Sequence, residues 1–354
     1  MYTWWGVYGD KENLKLKIFI IREDGKLIGI APLFVSRTKS LSVQIRKLQF
    51  LGSFGVGSDY LDFILYPGKE GEILKRLFEH LKENDDEWDA FEIYDIPDDS
   101  STLFFLKSIK GFHKLDGKPT VCPVLKLSKT YEKTYRDFKK NLRSDISRKK
   151  KKFISTGGKF VEVRDREKLD EAFEIFLSLN KDRTAIKRIT SPFLDSEFSR
   201  FHKNLSGILF AKGFIRLFFL TMNDRPMAGL YVFKYDDRYF YYQSGFNSYW
   251  NKLSPGLLIF DRAIENAIDE GAREFDFLRG DEEYKFRWTR DTRCNLKITF
   301  FRKTLKNKII FSILKTGSAL RAAKKMIASI PPLPDVLANP AHRQKTTCPD
   351  ANFK

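Results

Sequence analysis

The sequence predicts an α/β protein made of two halves that share one topology. The first observation is a hairpin that occurs twice: IIREDGKLIGIA, from residue 20, aligns with FLTMNDRPMAGL, from residue 219, and the turn falls at the same place. The second observation is that each hairpin is followed by further strands and a strand–helix–strand unit, the alternation typical of α/β folds. A chain of 354 residues has room for two ordinary domains. We therefore interpret the repeat as a diverged duplication.

The first half, residues 1–126, opens with a helix end in MYTWWGVYGD and then becomes rich in strand signals. A hairpin is expected around Asp24 and Gly25, because Asp-Gly favours the tight turn between two apolar strands. The other expected elements of this half are the strands Val43–Phe50, Tyr60–Tyr66 and Ala90–Asp95 and the helices Glu70–Lys82 and Ser101–Lys110. The loop GSFGVGS precedes a strand, whereas a phosphate-binding glycine loop precedes a helix.

A basic helical connector is predicted over residues 127–157. Between Lys139 and Lys152 it holds eight basic residues and one acid, Asp145. A run of this kind is commonly a solvated helix face. The alternative is a positive wall beside a phosphorylated ligand, for which Arg143 and Arg148 are the candidates.

The second half, residues 158–302, repeats the strand and helix signals. Its expected elements are the strands Lys159–Val163, Gly207–Ala211, Phe214–Met222 and Met227–Tyr235 and the helices Lys168–Lys181 and Phe193–Leu205. The unit that follows contains strand Tyr239–Gly245, a helix with Ser254 at its N-cap and Pro255 at N1, and strand Glu274–Leu278. This length fits a parallel crossover. The start of its helix is a natural anion site.

A short helix capped by Asp281 is expected after Gly280. Tyr284 and Trp288 are four residues apart and should form one aromatic face, with Lys285 rotated away from it. Ligands in open α/β sheets collect beyond the carboxyl ends of the strands, where this segment lies. Tyr284 and Lys285 are therefore candidates for chemistry, with a lysine salt bridge to Asp281 or Glu282 as the structural alternative.

Composition limits the class of protein. The formal charge of +18 suggests anionic partners, although an A/T-rich genome, which encodes many lysines, would give a similar charge. Cys122, Cys294 and Cys348 form no CxxC motif, which favours a reducing cytoplasm. The histidines are scattered without ligand spacing, so we expect no metal site. No apolar run approaches the ~20 residues of a membrane span.

The C-terminal tail is strongly basic, with eleven basic residues and two acids from Arg302 onward. Residues 303–330 predict an amphipathic helix. Its apolar face is expected to hold Ile309, Ile310, Ile313, Leu314, Met326, Ile327 and Ile330. Such a helix could lie in an anionic membrane surface or pack back on the domain. Residues 331–354 are rich in proline and polar residues, and we expect them to be disordered.

Two segments, GFNSYWNKLSPGLL and FDFLRGDEEYKFRW, carry a resemblance to a known family. They resemble the GNAT-superfamily acyltransferases of the CelD/BcsL type, the cellulose-biosynthesis acetyltransferases, which are similar in turn to the Fem-type aminoacyltransferases. The resemblance is strong over residues 131–302 and looser over 1–126. It implies a tandem double GNAT-like fold with mixed sheets, and a first half that lacks its first strand.

The resemblance also implies site residues. The pyrophosphate of acetyl-CoA, or of another acyl-CoA, would lie on Ser254, Pro255, Gly256, Leu257 and Leu258. The catalytic candidates are Lys285, Tyr284 and Asp59, with Asp62 as the alternative to Asp59. Tyr242 and Gln243 would line the substrate cleft, and Arg183, Asp281 and Trp288 are further candidates for binding substrate.

The predicted function is acyl-CoA-dependent N-acyl transfer to an amino sugar or a related precursor of a cell-surface polysaccharide. The expected partners are an amine acceptor, a small molecule or a glycan, and an anionic membrane surface at the tail. The expected location is the cytoplasm, including the inner face of the membrane. Two alternatives stay open: an aminoacyl-tRNA-dependent transferase of the Fem type, and a non-catalytic scaffold at the membrane periphery.

Overall fold

The structure, a computed structural model, describes residues 1–10, 13–40, 43–83, 87–186 and 188–328. For Ser40 and residues 317–328 it describes the backbone. The expected disordered segment 331–354 and Ile330 lie outside this range. The chain divides into two compact units: unit 1 holds residues 9–120 and those from 294 onward, and unit 2 holds Tyr2–Tyr8 and Val121–Arg293.

The elements follow one another along the chain as mixed α and β structure. In order they are α1 Tyr2–Tyr8, β1 Leu14–Glu23, β2 Lys26–Ser40, β3 Val43–Phe50, β4 Ile64–Leu65, α2 Glu70–Glu83, β5 Ala90–Pro97, α3 Ser101–Ser108, β6 Phe112–Asp116, β7 Thr120–Lys126, α4 Tyr131–Asp137, α5 Lys140–Ser155, β8 Gly158–Glu162, α6 Leu169–Ile186, α7 Ser196–Ala211, β9 Ile215–Met222, β10 Arg225–Tyr235, β11 Arg238–Phe246, α8 Pro255–Asp269, β12 Glu274–Asp276, β13 Thr292–Arg302 and α9 Leu305–Ala328.

Unit 1 is a mixed sheet in the order β1-β2-β3-β5-β13, in which β4 also pairs with β2 and β6 with β13. The β3–β5 pairing is parallel. Strand β2 pairs antiparallel with β1, β3 and β4, and β13 pairs antiparallel with β5 and β6. Helix α2 lies on one face of the sheet. Its Leu74, Leu77 and Phe78 are buried in one cluster with strand residues that include Leu33 and Phe91. The apolar side of an amphipathic helix thus forms the core of this unit.

Unit 2 repeats the arrangement in the order β7-β12-β11-β10-β9-β8. The β11–β12 pairing is parallel, and the pairings of β7 with β12 and of β8, β9, β10 and β11 in sequence are antiparallel. Helices α5 and α8 contribute to the cluster on one face, and α6 contributes to the cluster on the other. Each unit therefore has an antiparallel meander, a parallel crossover through a helix, and an antiparallel strand next to the crossover, and unit 1 also has β4 and β6.

The pairing register confirms the repeated hairpin. In β1–β2 the facing pairs are Leu16–Phe34, Ile18–Pro32 and Ile20–Ile30. In β9–β10 the pairs at the aligned positions are Ile215–Phe233, Leu217–Tyr231 and Phe219–Gly229. Because a slip of one residue would turn every side chain to the other face, this agreement places corresponding residues on corresponding faces.

Two sequence expectations for single elements are wrong. The strand expected over Tyr60–Tyr66 is reduced to Ile64–Leu65, and the strand expected over Gly207–Ala211 is the last turns of α7. The predicted connector is helical and consists of two helices, α4 and α5. Strands β6, β7 and β13 had no counterpart in the prediction. Among the helices described, none is long and apolar enough to cross a bilayer.

Candidate active site

The main feature of unit 2 is the point at which β11 and β12 part. The two strands pair through Arg238–Glu274, Tyr239–Phe275 and Phe240–Asp276, but β11 continues to Phe246. The second half of β11 therefore runs beyond its parallel neighbour. A backbone edge of this kind offers N–H and C=O groups to an extended ligand, in the way an added strand would bind.

A bulge in β11 sets the direction of the side chains at this point. Tyr231 faces Gln243 and Val232 faces Tyr241, so Tyr242 is the extra residue. Tyr241 is buried in the cluster that contains α8, whereas Tyr242 packs in the cluster that contains α6. The Tyr242 hydroxyl lies 2.8 Å from Nε2 of His202, whose pKa burial lowers to about 3. His202 is thus neutral at physiological pH.

A chain of hydroxyl groups lies on the α8 side of the parting strands. The Tyr284 hydroxyl donates to the Tyr241 hydroxyl at 3.3 Å, and the latter lies 2.9 Å from Oγ of Ser244. Burial raises the pKa of Tyr284 well above its usual range, the neighbouring Tyr241 raises it further, and Arg183 acts in the opposite direction. Tyr284 therefore stays protonated at physiological pH and can donate a hydrogen bond.

Helix α6 packs directly against the end of β11. A Cβ added at Gly245 would lie 2.3 Å from the backbone N of Asn180, so a side chain has no room there. The buried Asn180 side chain donates to the Ser244 carbonyl at 2.8 Å and accepts from the Ser191 hydroxyl at 2.6 Å. Arg183, one turn along α6, reaches the same carbonyl at 3.5 Å. The predicted substrate residue Arg183 is thus held next to the hydroxyl chain.

The start of α8 follows β11 through the 3-10 helix Ser248–Leu253. Pro255 is the first helical residue and Ser254 the N-cap, as predicted, but the Ser254 side chain makes no capping bond, and its backbone is left-handed at φ 54°. The amides of Leu257 and Leu258 both reach the Ser254 carbonyl. The space that a Cβ at Gly256 would occupy is open, with no atom within 4 Å. The first turn of α8 holds no acid.

Among the five predicted cofactor residues, the degree of burial differs. Pro255 and Leu258 are buried, and Leu257 packs against the same core. Their side chains therefore hold the helix in place. Ser254 and Gly256 are partly exposed, so both are accessible from solvent at the start of the helix.

Helix α8 is also held by a buried polar contact with the connector. Asp261 is buried, accepts a hydrogen bond from the Tyr131 hydroxyl, and lies 3.4 Å from Nζ of Lys150. Burial raises the pKa of Asp261, and the Tyr131 and Lys150 contacts oppose that rise. Two residues of the connector, Tyr131 and Lys150, thus hold α8 in place through Asp261.

The basic residues of α5 lie close to this turn. The ammonium group of Lys149 donates to the carbonyl of Lys252 at 2.5 Å, two residues before Ser254. Arg148 and Arg287 both pair with Asp145, at 2.8 and 2.9 Å. The charge of Lys149 therefore stands beside the start of α8, and that of Arg148 is balanced by a carboxylate.

Lys285 is buried, and its surroundings differ from the sequence expectation. Residues 281–284 are loop and turn, and a 3-10 helix covers Lys285–Arg287, so the expected helix capped by Asp281 is not formed. The ammonium group donates to the carbonyls of Arg279 and Leu278 at 2.6 and 3.3 Å and pairs with Glu282 at 3.0 Å. A lysine ammonium group has three N–H donors, so these three contacts use all the hydrogen bonds that it can donate. Lys285 holds the loop that follows β12.

The remaining predicted residues lie in different surroundings. Trp288 is buried against Phe138 and Phe260, and Asp281 is exposed. Gln243 is half-buried in β11. Asp59 belongs to unit 1, where it accepts a hydrogen bond from Asn295 at 3.0 Å.

Asp62, the alternative acid, also lies in unit 1 and has a structural environment. Its carboxylate accepts from the Ser100 and Thr102 hydroxyls at the start of α3. Within the described ranges, no group of three or more His, Cys, Asp or Glu side chains is placed to hold a metal ion.

Comparison with known proteins finds a match to one family model. Residues 140–286 match the family described as Acetyltransferase (GNAT) domain. This range contains α5, the parting strands, α8 and both Tyr284 and Lys285. No curated protein matches the chain by sequence.

Solved structures show the same fold at low sequence identity. The structure of FemX aligns with 88% of this chain and 93% of its own length, at a TM-score of 0.60 and 13% identity. A conserved protein of unknown function from Bacteroides thetaiotaomicron VPI-5482 aligns with 85% of this chain and 88% of its own, at 0.53 and 9%. L-PGS from Bacillus licheniformis aligns with 84% and 88%, at 0.50 and 10%.

These findings and the repeated topology confirm the predicted double GNAT-like fold. The segment that matches the family coincides with the feature that the geometry singles out, the parted strands and the open helix start. Residues 140–286 match a GNAT acetyltransferase domain, and the chain is an enzyme of the GNAT type.

Proposed function

We propose that this chain transfers an acyl group, acetyl in the simplest case, from acyl-CoA to the amine of an amino sugar or a related precursor of a cell-surface polysaccharide. The observation that carries the donor part is the separation of β11 from β12 beside the open first turn of α8. Pantetheine is a chain of amides, so it can bind the edge of β11 beyond β12 as a strand would. The pyrophosphate would then lie at the start of α8, where N–H groups and the helix dipole favour anions.

The contrast between Gly256 and the buried Leu258 supports this placement. A phosphate needs a backbone N–H and close approach. The Gly256 amide offers both, because the space beside it is open, whereas the Leu257 and Leu258 amides bond to the Ser254 carbonyl. Lys149 adds a positive charge close to this turn. The first turn of α8 holds no carboxylate that would repel an anion. This arrangement favours an anion at the first turn of α8.

The transfer itself needs no covalent enzyme intermediate. The amine nitrogen attacks the thioester carbonyl, a C–N bond forms, the C–S bond breaks, and the leaving sulfur takes a proton while the nitrogen loses one. Tyr284 is the proposed proton donor to the sulfur, because burial keeps its hydroxyl protonated and the Tyr241 and Ser244 hydroxyls continue the chain. A positioned acid of this type contributes about 10²- to 10⁴-fold to a rate.

Lys285 is proposed to act through the loop. Leu278 has a positive φ of 52°, an unfavourable backbone state for a residue with a branched side chain. The ammonium group binds the carbonyls of Leu278 and Arg279 and so holds this turn in place. Since Tyr284 precedes Lys285, the same contacts fix the position of the proposed acid. Lys285 is therefore a positioning residue in this proposal.

The acceptor part rests on the resemblance to the cellulose-biosynthesis acetyltransferases. Arg183 and Gln243 are the residues of unit 2 that we propose to face the acceptor. Arg183 lies beside Tyr284, and Gln243 is a half-buried residue of the parted strand.

One alternative function has a specific observation in its favour. The FemX structure aligns with most of both chains, and the formal charge of +18 suits contacts with nucleic-acid phosphates. A Fem-type transferase would take its acyl group from aminoacyl-tRNA. Ribonuclease treatment decides between the donors: loss of activity after treatment would favour the tRNA donor, and unchanged activity with acetyl-CoA would favour the first proposal.

The direct test of the donor site is calorimetry with acetyl-CoA on the full chain. Gly256→Glu places a carboxylate where the pyrophosphate is proposed to bind, and two like charges ~4 Å apart cost about 4 kcal/mol at an effective dielectric near 20. We expect affinity to fall by about two to three orders of magnitude. Unchanged affinity in a folded Gly256→Glu variant would contradict the proposed donor site.

Unit 1 supplies a matched control. Gly71 is the second residue of α2, as Gly256 is the second residue of α8, and it too has open space around it. Gly71→Glu should leave acetyl-CoA affinity unchanged. If both variants bind equally weakly, the added charge acts at long range, and the site is not at the start of α8.

A further inference from the structure

Helix α9 has one side fixed to unit 1. The buried Asn307 donates to the Asp89 carbonyl at 3.1 Å, and Lys306 donates to the Asp89 carboxylate at 2.9 Å. Ile310 is buried in a cluster with Phe301, and Phe311 packs at its edge. The inner side of the first turns therefore packs on the unit. Ile310, which the sequence placed on one apolar face with Ile309 and Ile313, is part of this inner side.

The opposite side of α9 carries a row of exposed apolar residues. Leu305, Ile309 and Ile313 are 78%, 54% and 46% exposed and are spaced four residues apart. This spacing brings them onto one side of the helix, rotated away from Asn307 and Ile310. We define Leu305, Ile309 and Ile313 as the outer row. Exposed apolar residues arranged in a row mark an interaction surface more strongly than scattered ones do.

The charge of the segment identifies the partner. Residues 302–330 contain no Asp or Glu. Their basic residues are Arg302, Lys303, Lys306, Lys308, Lys315, Arg321, Lys324 and Lys325. Lys303, Lys308 and Lys315 are exposed close to the outer row. An apolar row flanked by cations suits an anionic lipid surface, where the row enters the interface and the lysines meet the headgroups.

We propose that α9 binds the surface of an anionic lipid bilayer through the outer row and its flanking lysines. The helix lies in the plane of the interface. Because the inner side is fastened to Asp89, the outer row is presented on a rigid support, and little ordering is needed on binding. The proposal is independent of the identity of the acyl donor.

The test uses sedimentation of the full chain with vesicles. One set contains phosphatidylglycerol and phosphatidylcholine, and the other contains phosphatidylcholine alone. We expect binding to the anionic set and at least about tenfold weaker binding to the neutral set, since each lysine near a charged surface adds to the attraction. Binding should weaken with salt, because the screening length falls from about 10 Å at 0.1 M to about 3 Å at 1 M. Equal binding to both vesicle sets would overturn the proposal.

Point variants locate the contact. The triple variant Leu305→Ser, Ile309→Ser, Ile313→Ser and the double variant Lys308→Glu, Lys315→Glu should each lower binding at least tenfold. A matched control is Leu16→Ser, Ile18→Ser, Ile20→Ser, which changes three exposed apolar residues of β1. This control should bind as the unchanged chain does. If it loses binding, or if both α9 variants keep it, α9 is not the contact. All substituted residues are exposed, so thermal unfolding should confirm that every variant is folded.

Discussion

The hairpins β1–β2 and β9–β10 share a register but differ in what covers them. Ile18 in unit 1 is 47% exposed, whereas Leu217 at the aligned position in unit 2 is 1% exposed. Leu217 belongs to the core cluster formed with α6, as do its neighbours Ile215 and Phe219. The counterparts of those neighbours, Leu16 and Ile20, are exposed. The same alternating pattern therefore gives a core face in one copy and a surface in the other.

The elements around each hairpin explain this difference. In unit 2, β8 pairs along β9, and α6 and α7 precede β9 in the chain. In unit 1, β1 is the last strand in its sheet order. Strand pattern specifies which side chains share a face, and the preceding helices decide whether that face is buried.

The crossover helices α2 and α8 also differ, in the charge of their first turns. The first turn of α2 holds Glu70 and Glu72, whereas the first turn of α8 holds no acid. Carboxylates at a helix start stabilise the helix but repel an anionic ligand. The two copies thus share a fold but differ in the charge at the start of the crossover helix.

The largest expected effect is on stability and compares the buried face of β9 with the exposed face of β1. Leu217→Ala should lower the free energy of unfolding by about 2–5 kcal/mol, since it removes buried methyl groups and leaves a cavity. Ile18→Ala at the aligned position should change it by about 0.5 kcal/mol or less, as exposed substitutions do. Urea unfolding of both variants measures the difference. Equal losses would mean that the β1 face is buried in solution by another molecule.

The second effect concerns the hydroxyl chain. Tyr284→Phe keeps the ring against Phe260 and removes the proposed proton donor, so kcat should fall by about 10²-fold or more. Because burial raises the pKa of Tyr284 above 10, we expect no loss of this acid as the pH rises from 7 to 9. The pH profile of kcat measures this.

Tyr241→Phe is the matched variant for the hydroxyl chain. It leaves Tyr284 intact and removes the next hydroxyl, so we expect a smaller fall in kcat. A Tyr284→Phe variant with unchanged kcat would exclude Tyr284 as the acid and leave proton transfer to another group.

The sequence predicted the local units of this fold and missed the long-range ones. The Tyr239–Trp288 segment was predicted as strand, helix and strand because Pro255 and Gly271 mark the helix ends within the segment itself. Strands β7 and β13 were missed. Their partners are distant in sequence, β12 for β7 and β5 for β13, so no local turn signal announces them.

The residues of the candidate site could likewise be predicted only in part from the sequence. Tyr284 and Arg183 could be selected from the sequence, but Tyr241, Ser244 and Asn180 could not, because an aromatic strand and a mid-helix asparagine are typical of a core. Their roles depend on the bulge at Tyr242 and on the contact of α6 with Gly245. The Ser-Gly pair at 244–245 was the available signal, since glycine in a strand often marks a close approach of backbones.

The third effect concerns Lys285. Lys285→Met leaves the carbonyls of Leu278 and Arg279 without their buried donor, which should lower the free energy of unfolding by about 1–3 kcal/mol. We also expect kcat to fall, because the loop positions Tyr284. The matched control is Arg287→Met, which removes an exposed pair with Asp145 worth about 0–1 kcal/mol.

Stability and kinetics together separate the roles of Lys285. A Lys285→Met variant of unchanged stability whose KM alone rises for one substrate would contradict the positioning role. That result would instead indicate that the ammonium group binds a phosphate of that substrate.

The smallest effect compares one ion-paired carboxylate in each unit, Glu270 in unit 2 and the buried Asp89 in unit 1. Burial would raise the pKa of Glu270, but hydrogen bonds from Arg216 and Lys234 outweigh it and lower the pKa to about 2. Burial acts on Asp89 in the same way, and Arg46 and Lys306 lower its pKa to about 2. A carboxylate with a lowered pKa contributes stability above its unfolded pKa, and this contribution is lost as the pH falls through the folded value. Stability should therefore decline between pH ~4.5 and ~2, the ordinary and folded values of these groups. Glu270→Gln and Asp89→Asn should each flatten that decline when urea midpoints are measured against pH. An unchanged slope in both variants would show that other carboxylates control acid unfolding.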